Sequence, residues 1–160
     1  MTNRRHARDI AFRLLYEMDV NPHVTDDQRE EYIQRHAQKE PTRRFARQLV
    51  DGVRQHQAEL DRRIQECLER WTLSRLGTTE RTLLRLGAYE LLYAQQPPPV
   101  VIAEATRLAR RYGDQGSAAF VQGVLNRILR SGEQGGVVRI VAEENAGQNG
   151  SVVAPVDGGS

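Results

Sequence analysis

With 160 residues, 39% of them hydrophobic and 28% charged, the chain suits one domain around one buried core. No apolar run approaches the roughly 20 residues of a membrane-spanning helix, and the opening MTNRRHARDI lacks the apolar stretch of a secretory signal. The single cysteine, Cys67, excludes an internal disulfide and a cysteine-built zinc site, so a cytoplasmic protein in a reducing environment is expected.

The net charge of +2 hides an asymmetry: residues 131–160 carry −3 and residues 1–130 carry +5. Lys39 is the one lysine, so the basic side chains are almost all arginine. Arginine grips phosphate with a planar fork and stacks on bases. Since a GC-rich genome also favours arginine, the clustering of particular arginines carries more meaning than their number.

Helical periodicity runs along most of the chain, and strand alternation is nearly absent. The first helix is expected from Asn3 to Asp19, with Ala7, Ile10, Ala11, Leu14 and Met18 on one face. Asn21-Pro22 ends it. Thr25 with Gln28 reads as a capping box opening a polar second helix that reaches Gln38. Pro41 and Thr42 open one long third helix, whose stripe runs through Phe45, Leu49, Val53, Leu60, Ile64 and Leu68. A short turn follows around Ser74–Leu76. Thr78 reads as the N-cap of the next helix, with Glu80 in its first turn. That helix is apolar on more than one side and therefore central. The run Gln96-Pro97-Pro98-Pro99 terminates it. A fifth helix is expected over Val101–Tyr112, with Gly113 as a left-handed stop. Ser117 caps the last helix, and Gly123 inside it marks either a close backbone approach or neutral drift. From Ser131 onward glycine and small polar residues dominate. VVRIVA can form one strand, but a disordered tail is the simpler reading.

No pattern for covalent chemistry emerges. His6, His23, His36 and His56 stand at unrelated spacings, and there is neither a phosphate-binding glycine loop nor a nucleophile elbow. Cys67 reads as a structural thiol. No enzyme, no catalytic residue, no metal and no cofactor are expected. Glu90, set among leucines and tyrosines, needs a partner, and an arginine of a neighbouring helix would serve.

Arg4, Arg5 and Arg8 crowd the first turns of helix 1, against its dipole. Such a cluster either awaits an anion such as phosphate or is a solvated terminus. Three segments then carry a resemblance: RRHARDIAFRLLYEMDV, TTERTLLRLGAYELLY, and VVIAEATRLARRYG followed by SAAFVQGVLNRIL. In this order, over about residues 4–130, they resemble the NusB family of transcription antitermination proteins. The resemblance implies an all-α fold, a compact bundle of about seven helices in two small subdomains of three and four. It implies a helical RNA-binding domain over residues 1–130, with residues 131–160 as a flexible acidic tail. It also implies a function: binding boxA-type single-stranded RNA with the ribosomal protein NusE, joining the RNA polymerase antitermination complex and supporting rRNA transcription.

Residue by residue, Arg4, Arg5 and Arg8 match the family's basic RNA-binding stretch. Phe120 matches an aromatic at the RNA surface, although its spacing beside Val121 and Val124 suits the core equally. Tyr112 is a weaker candidate of the same kind. Glu80, Arg81 and Arg85 match a surface near RNA and partner, and also read as ordinary helix solubilisation. Gln122 and Ala103 depart from the family's usual asparagines, which bears on detailed RNA contacts. The resemblance further implies the possibility of a homodimer through the NusE surface. A protein-only scaffold is the alternative function. A NusB-like domain attached to an RNA methyltransferase is a second alternative, for which no following enzyme module is expected. Loss of Arg4 and Arg8 together is expected to weaken RNA binding with helicity intact. Deletion of residues 131–160 is expected to tighten RNA binding at low salt if the acidic tail shields the basic surface.

Overall fold

The structure, a computed structural model, describes residues 2–134. Seven α-helices make up nearly all of it: α1 (Arg4–Val20), α2 (Asp26–His36), α3 (Glu40–Gln55), α4 (Gln57–Glu66), α5 (Thr78–Leu92), α6 (Pro98–Tyr112) and α7 (Ser117–Gln134). A single 3₁₀ turn, Leu73–Arg75, joins α4 to α5, and there is no strand among the described residues. The fold is the expected all-α bundle. The first three helices pack around α1 and α3, and the last four around α5, α6 and α7, with α5 laid against α1 to join the two groups.

Local chemistry accounts for most boundaries. Asn3 caps α1, its side-chain oxygen accepting from the His6 amide at 3.0 Å. Thr25 and Gln28 form the full capping box at α2. α5 is the hub: Leu83, Leu84 and Ala88 have no exposed surface, and Leu91 is 1% exposed. Each such leucine contributes about 1.5–3 kcal/mol through burial.

Several boundaries differ from the sequence reading. The long third helix is two helices that meet at His56, whose φ of −110° and ψ of 17° leave the helical region. Both the amide and Nδ1 of His56 reach the Gly52 carbonyl, each at 3.0 Å, and the ring packs at a tilt on Tyr93 with centroids 3.9 Å apart. The apolar stripe continues through this corner, which is why spacing alone runs the two helices together. Gly77, not Thr78, occupies the cap position of α5. α6 begins at Pro98, three residues before Val101, because a first turn needs no amide partners and tolerates proline. Gly113 is extended, with φ −100° and ψ −172°, and the left-handed glycine is Gly116, at φ 95°. A Cβ on Gly123 would meet nothing within 4 Å, so no backbone approaches it. A Cβ on Gly52 would lie 2.1 Å from Tyr89 Cζ, so the close packing of α3 on α5 requires that glycine. α7 continues four residues past the expected boundary, to Gln134. The strand-or-tail reading of VVRIVA and the acidic tail fall outside the described residues.

Candidate nucleic-acid interface

The basic N-terminus of α1 is anchored by several contacts. The Asn3 amide donates to Thr42 Oγ1 at 3.0 Å, joining the start of α1 to α3. His6 Nε2 lies 2.6 Å from the His36 carbonyl at the end of α2. Arg4 extends Nη1 to Gln96 Oε1 at 2.5 Å, and its guanidinium sits 4.7 Å from the centre of the Phe45 ring. Arg5 is 65% exposed, with Nε 3.7 Å from Glu104 Oε1. Arg4, Arg5 and His6 therefore form an exposed basic rim on a rigid base, with no acidic side chain in the first turn of α1 to neutralise it.

Arg8 does not belong to that rim, contrary to the sequence reading. Its side chain is 3% exposed, and so is that of Glu90. Nε lies 3.0 Å from both carboxylate oxygens, and Nη2 lies 2.8 Å from Oε1. This pairing meets the expectation that Glu90 needs an arginine from another helix. Burial pushes the Glu90 carboxyl upward, while Arg8 pulls it down through hydrogen bonds and charge. Alternate i, i+4 positions on α1 thus divide the labour: Arg4 faces solvent, and Arg8 is sealed beneath the same Phe45 ring at 5.6 Å.

The remaining candidates lie elsewhere. Tyr112 is 36% exposed, and its ring centroid is 5.0 Å from that of Phe12, two turns along α1 from the basic rim. Arg111 stands over the same ring at 5.2 Å. Phe120 is partly buried and packs against the core cluster, so it shows the core contact that its spacing suggested. Glu80 accepts a hydrogen bond from the Ser117 hydroxyl, tying the start of α5 to the start of α7.

Arg81 and Arg85 clamp helices together. Arg81 Nη2 is 2.7 Å from Asp19 Oδ2, and Arg85 holds Asp61 at 2.8 Å and 3.0 Å while reaching Asp19 at 3.2 Å. With 15% and 12% exposure these side chains bind α5 to α1 and α4, so simple solubilisation does not describe them. Asp19 lies about 22 Å along α1 from Arg4, at 1.5 Å per residue, so the arginine candidates fall into two groups at opposite ends of one helix. The supporting roles of Phe45, Gln96, Glu104 and Asp19 are not legible in the sequence, because nothing local marks side chains that meet across 92 or 62 residues.

Among the described residues no group of three or more His, Cys, Asp or Glu could hold a metal ion, and no helix is long and apolar enough to cross a membrane. Cys67 is half-buried, and burial raises its thiol pKa, which disfavours the reactive thiolate.

Comparison with known proteins adds an independent line. The NusB family model matches residues 5–130. The transcription antitermination protein NusB of Bacillus subtilis is 41% identical over 132 residues, spanning 82% of this chain and 98% of the relative. That of Oceanobacillus iheyensis is 40% identical over 128 residues, spanning 79% and 98%. Among solved structures, T. maritima NusB superposes with a TM-score of 0.72 at 32% identity, covering 81% of this chain and 93% of that one. A NusB crystallised with the antitermination factor NusE and double-stranded RNA gives 0.73 at 32% identity, covering 79% and 96%.

Proposed function

This chain belongs to the NusB family, and on that premise we propose that it is a transcription antitermination factor that binds boxA-type single-stranded RNA together with ribosomal protein NusE. In this reading it joins the RNA polymerase antitermination complex and supports rRNA transcription as an adaptor, a role that asks for no covalent chemistry. The observation that carries the reading is the family match, which spans nearly the whole length of relatives named as transcription antitermination proteins. The solved NusB complex with NusE and double-stranded RNA supports NusE and RNA as the partner classes.

In this reading the roles divide. Arg4 and Arg5 contact phosphates, with His6 beside them. Arg8 acts as a positioning residue, holding the first turns of α1 against Glu90 and Phe45. Tyr112 offers a ring for an unpaired base, which is how single strands are commonly held. Phe120 joins it at the start of α7, where an edge remains accessible. Glu80, Arg81 and Arg85 shape the second surface, for NusE or the continuing RNA, through the interhelix clamp.

The test is a salt-titrated binding assay with a boxA-like RNA and a scrambled control, with and without NusE. Tighter binding to boxA, sharpened by NusE, is the expected result. Equal binding to both RNAs under every condition overturns the reading.

A further inference from the structure

Beside the Arg81 and Arg85 clamp, whose Arg85 and Asp19 line it, a cleft of about 770 Å³ opens between α1, the connection at residues 21–24, the corner where α3 meets α4, and α5. It lies at the seam between the two groups of helices, a common place for a small-molecule site. One wall is apolar, with Leu15 and Met18 from α1, while the rim carries the carboxamides of Gln55 and Gln57.

One buried polar atom of this cleft lacks a partner, and two exposed charges on its rim make no ion pair among the described residues. Thr82 is 2% exposed and lies on the cleft wall, and its Oγ1 has no hydrogen-bond partner among the described residues. A buried hydroxyl without a partner calls for one. Arg54, in the last turn of α3, is exposed and makes no ion pair among the described residues. Its charge reaches Arg29, which is 8% exposed and held by the Val24 carbonyl at 3.1 Å and by Asp26. Burial first, and then the charge of Arg54, lower the Arg29 pKa, while Asp51 opposes them. The third feature is Asp51 itself, a rim carboxylate without an ion-pair partner among the described residues. The other wall carboxylate, Asp19, is already committed to Arg81 and Arg85.

A ligand that completes this site brings an oxyanion for Arg54 and Arg29, a hydroxyl or amine donor for Asp51, polar edges for Thr82 Oγ1 and the carboxamides, and a flat apolar face for Leu15 and Met18. Inorganic phosphate lacks the last three, and a nucleoside lacks the first. We propose that the cleft binds a nucleoside monophosphate, either free or as the phosphorylated end of an RNA chain. The volume suits one nucleotide. Its phosphate sits between the two arginines, its ribose hydroxyls face Asp51, and its base lies on the α1 wall.

The experiment titrates the full-length, ¹⁵N-labelled protein with each of the four nucleoside monophosphates, with the parent nucleosides, and with inorganic phosphate. The expected result is amide shifts at residues around Thr82, Arg54 and Asn21, with a nucleotide binding at least about tenfold tighter than nucleoside or phosphate. Arg54→Gln and Thr82→Val should each weaken that affinity several-fold without lowering the thermal midpoint. Absence of cleft shifts at millimolar nucleotide overturns the proposal. So does phosphate binding as tightly as nucleotide, and so does an affinity indifferent to Arg54→Gln. A 5′-phosphorylated oligoribonucleotide whose cleft shifts vanish in Arg54→Gln identifies an RNA end as the source, whereas shifts with mononucleotide alone identify a free metabolite. The Arg4 and Arg5 rim sits at the opposite end of α3 from Arg54, so boxA binding that depends on the rim but not on Arg54 separates the two proposals, and either can fail without the other.

Discussion

Arg8 of α1 and Glu90 of α5 form a forked ion pair across 82 residues of sequence, with both side chains 3% exposed. Taking two charges out of water is costly, and the attraction offsets that cost only while both partners are present. Arg8→Met should therefore destabilise the protein by about 3–5 kcal/mol, leaving a buried carboxylate alone. The double variant Arg8→Met with Glu90→Leu should recover most of that loss, because it removes both desolvation penalties. Urea unfolding of the two singles and the double measures this coupling directly. Additive losses would mean that the pair contributes nothing beyond its separate side chains.

The same geometry changes the expectation for RNA binding. Pairing Arg4→Ala with Arg8→Ala confounds affinity with stability, because Arg8 lies inside the fold. The surface test is Arg4→Ala with Arg5→Ala. RNA affinity should fall while the unfolding midpoint shifts little, since Arg5 is 65% exposed and Arg4 rests on Phe45 from outside. Each lost phosphate contact should lower the slope of log affinity against log salt by about 0.7. An unchanged slope would remove these two arginines from the RNA surface.

Much of the fold is legible in the sequence because its cues are local. Thr25 with Gln28, Asn21-Pro22 and the leucines of α5 mark their elements within a few residues. The misread boundaries come from tertiary packing. Spacing continues through His56, and only the packed Tyr93 and the shared Gly52 carbonyl reveal the corner. Site residues follow the same division. The arginine cluster is visible in the sequence, but which arginine faces outward depends on Glu90 and Phe45, which lie far along the chain. That Glu90 needs a partner follows from its apolar neighbours, whereas the identity of the partner requires the fold.

Two glycines predict opposite outcomes for one substitution. Gly52→Ala drives a methyl group into the Tyr89 ring, where the nearest atom would be 2.1 Å away. Forcing α3 from α5 in this way should cost about 1–3 kcal/mol. Gly123 lies within α7 with open space around its missing Cβ. Gly123→Ala should stabilise by about 0.5–1 kcal/mol through helix propensity alone. Thermal melts of both variants decide the matter, and a destabilised Gly123→Ala would point to a packing demand that the fold does not contain.

The pH dependence gives a last prediction, at Glu30. Arg47 holds this carboxylate at 2.9 Å and 2.7 Å, and Gln34 adds a bond at 2.7 Å. Hydrogen bonds from Arg47 first and Gln34 second lower its pKa from 4.5 to about 2. A carboxyl group depressed on folding adds stability that is fully present above the unfolded value and is lost as pH falls through the folded one. The pair thus stabilises the junction of α2 and α3 above pH 4.5, and this contribution fades towards about pH 2. The Glu30 side chain is 42% exposed, so solvent screens the interaction and the contribution stays below about 1 kcal/mol. Glu30→Gln should lower the melting midpoint slightly at neutral pH, and the gap to the parent protein should narrow through the acid window. Added salt should narrow it as well, since the charges lie near the surface. A gap that persists undiminished in acid would show that the carboxylate's charge is not what joins α2 to α3.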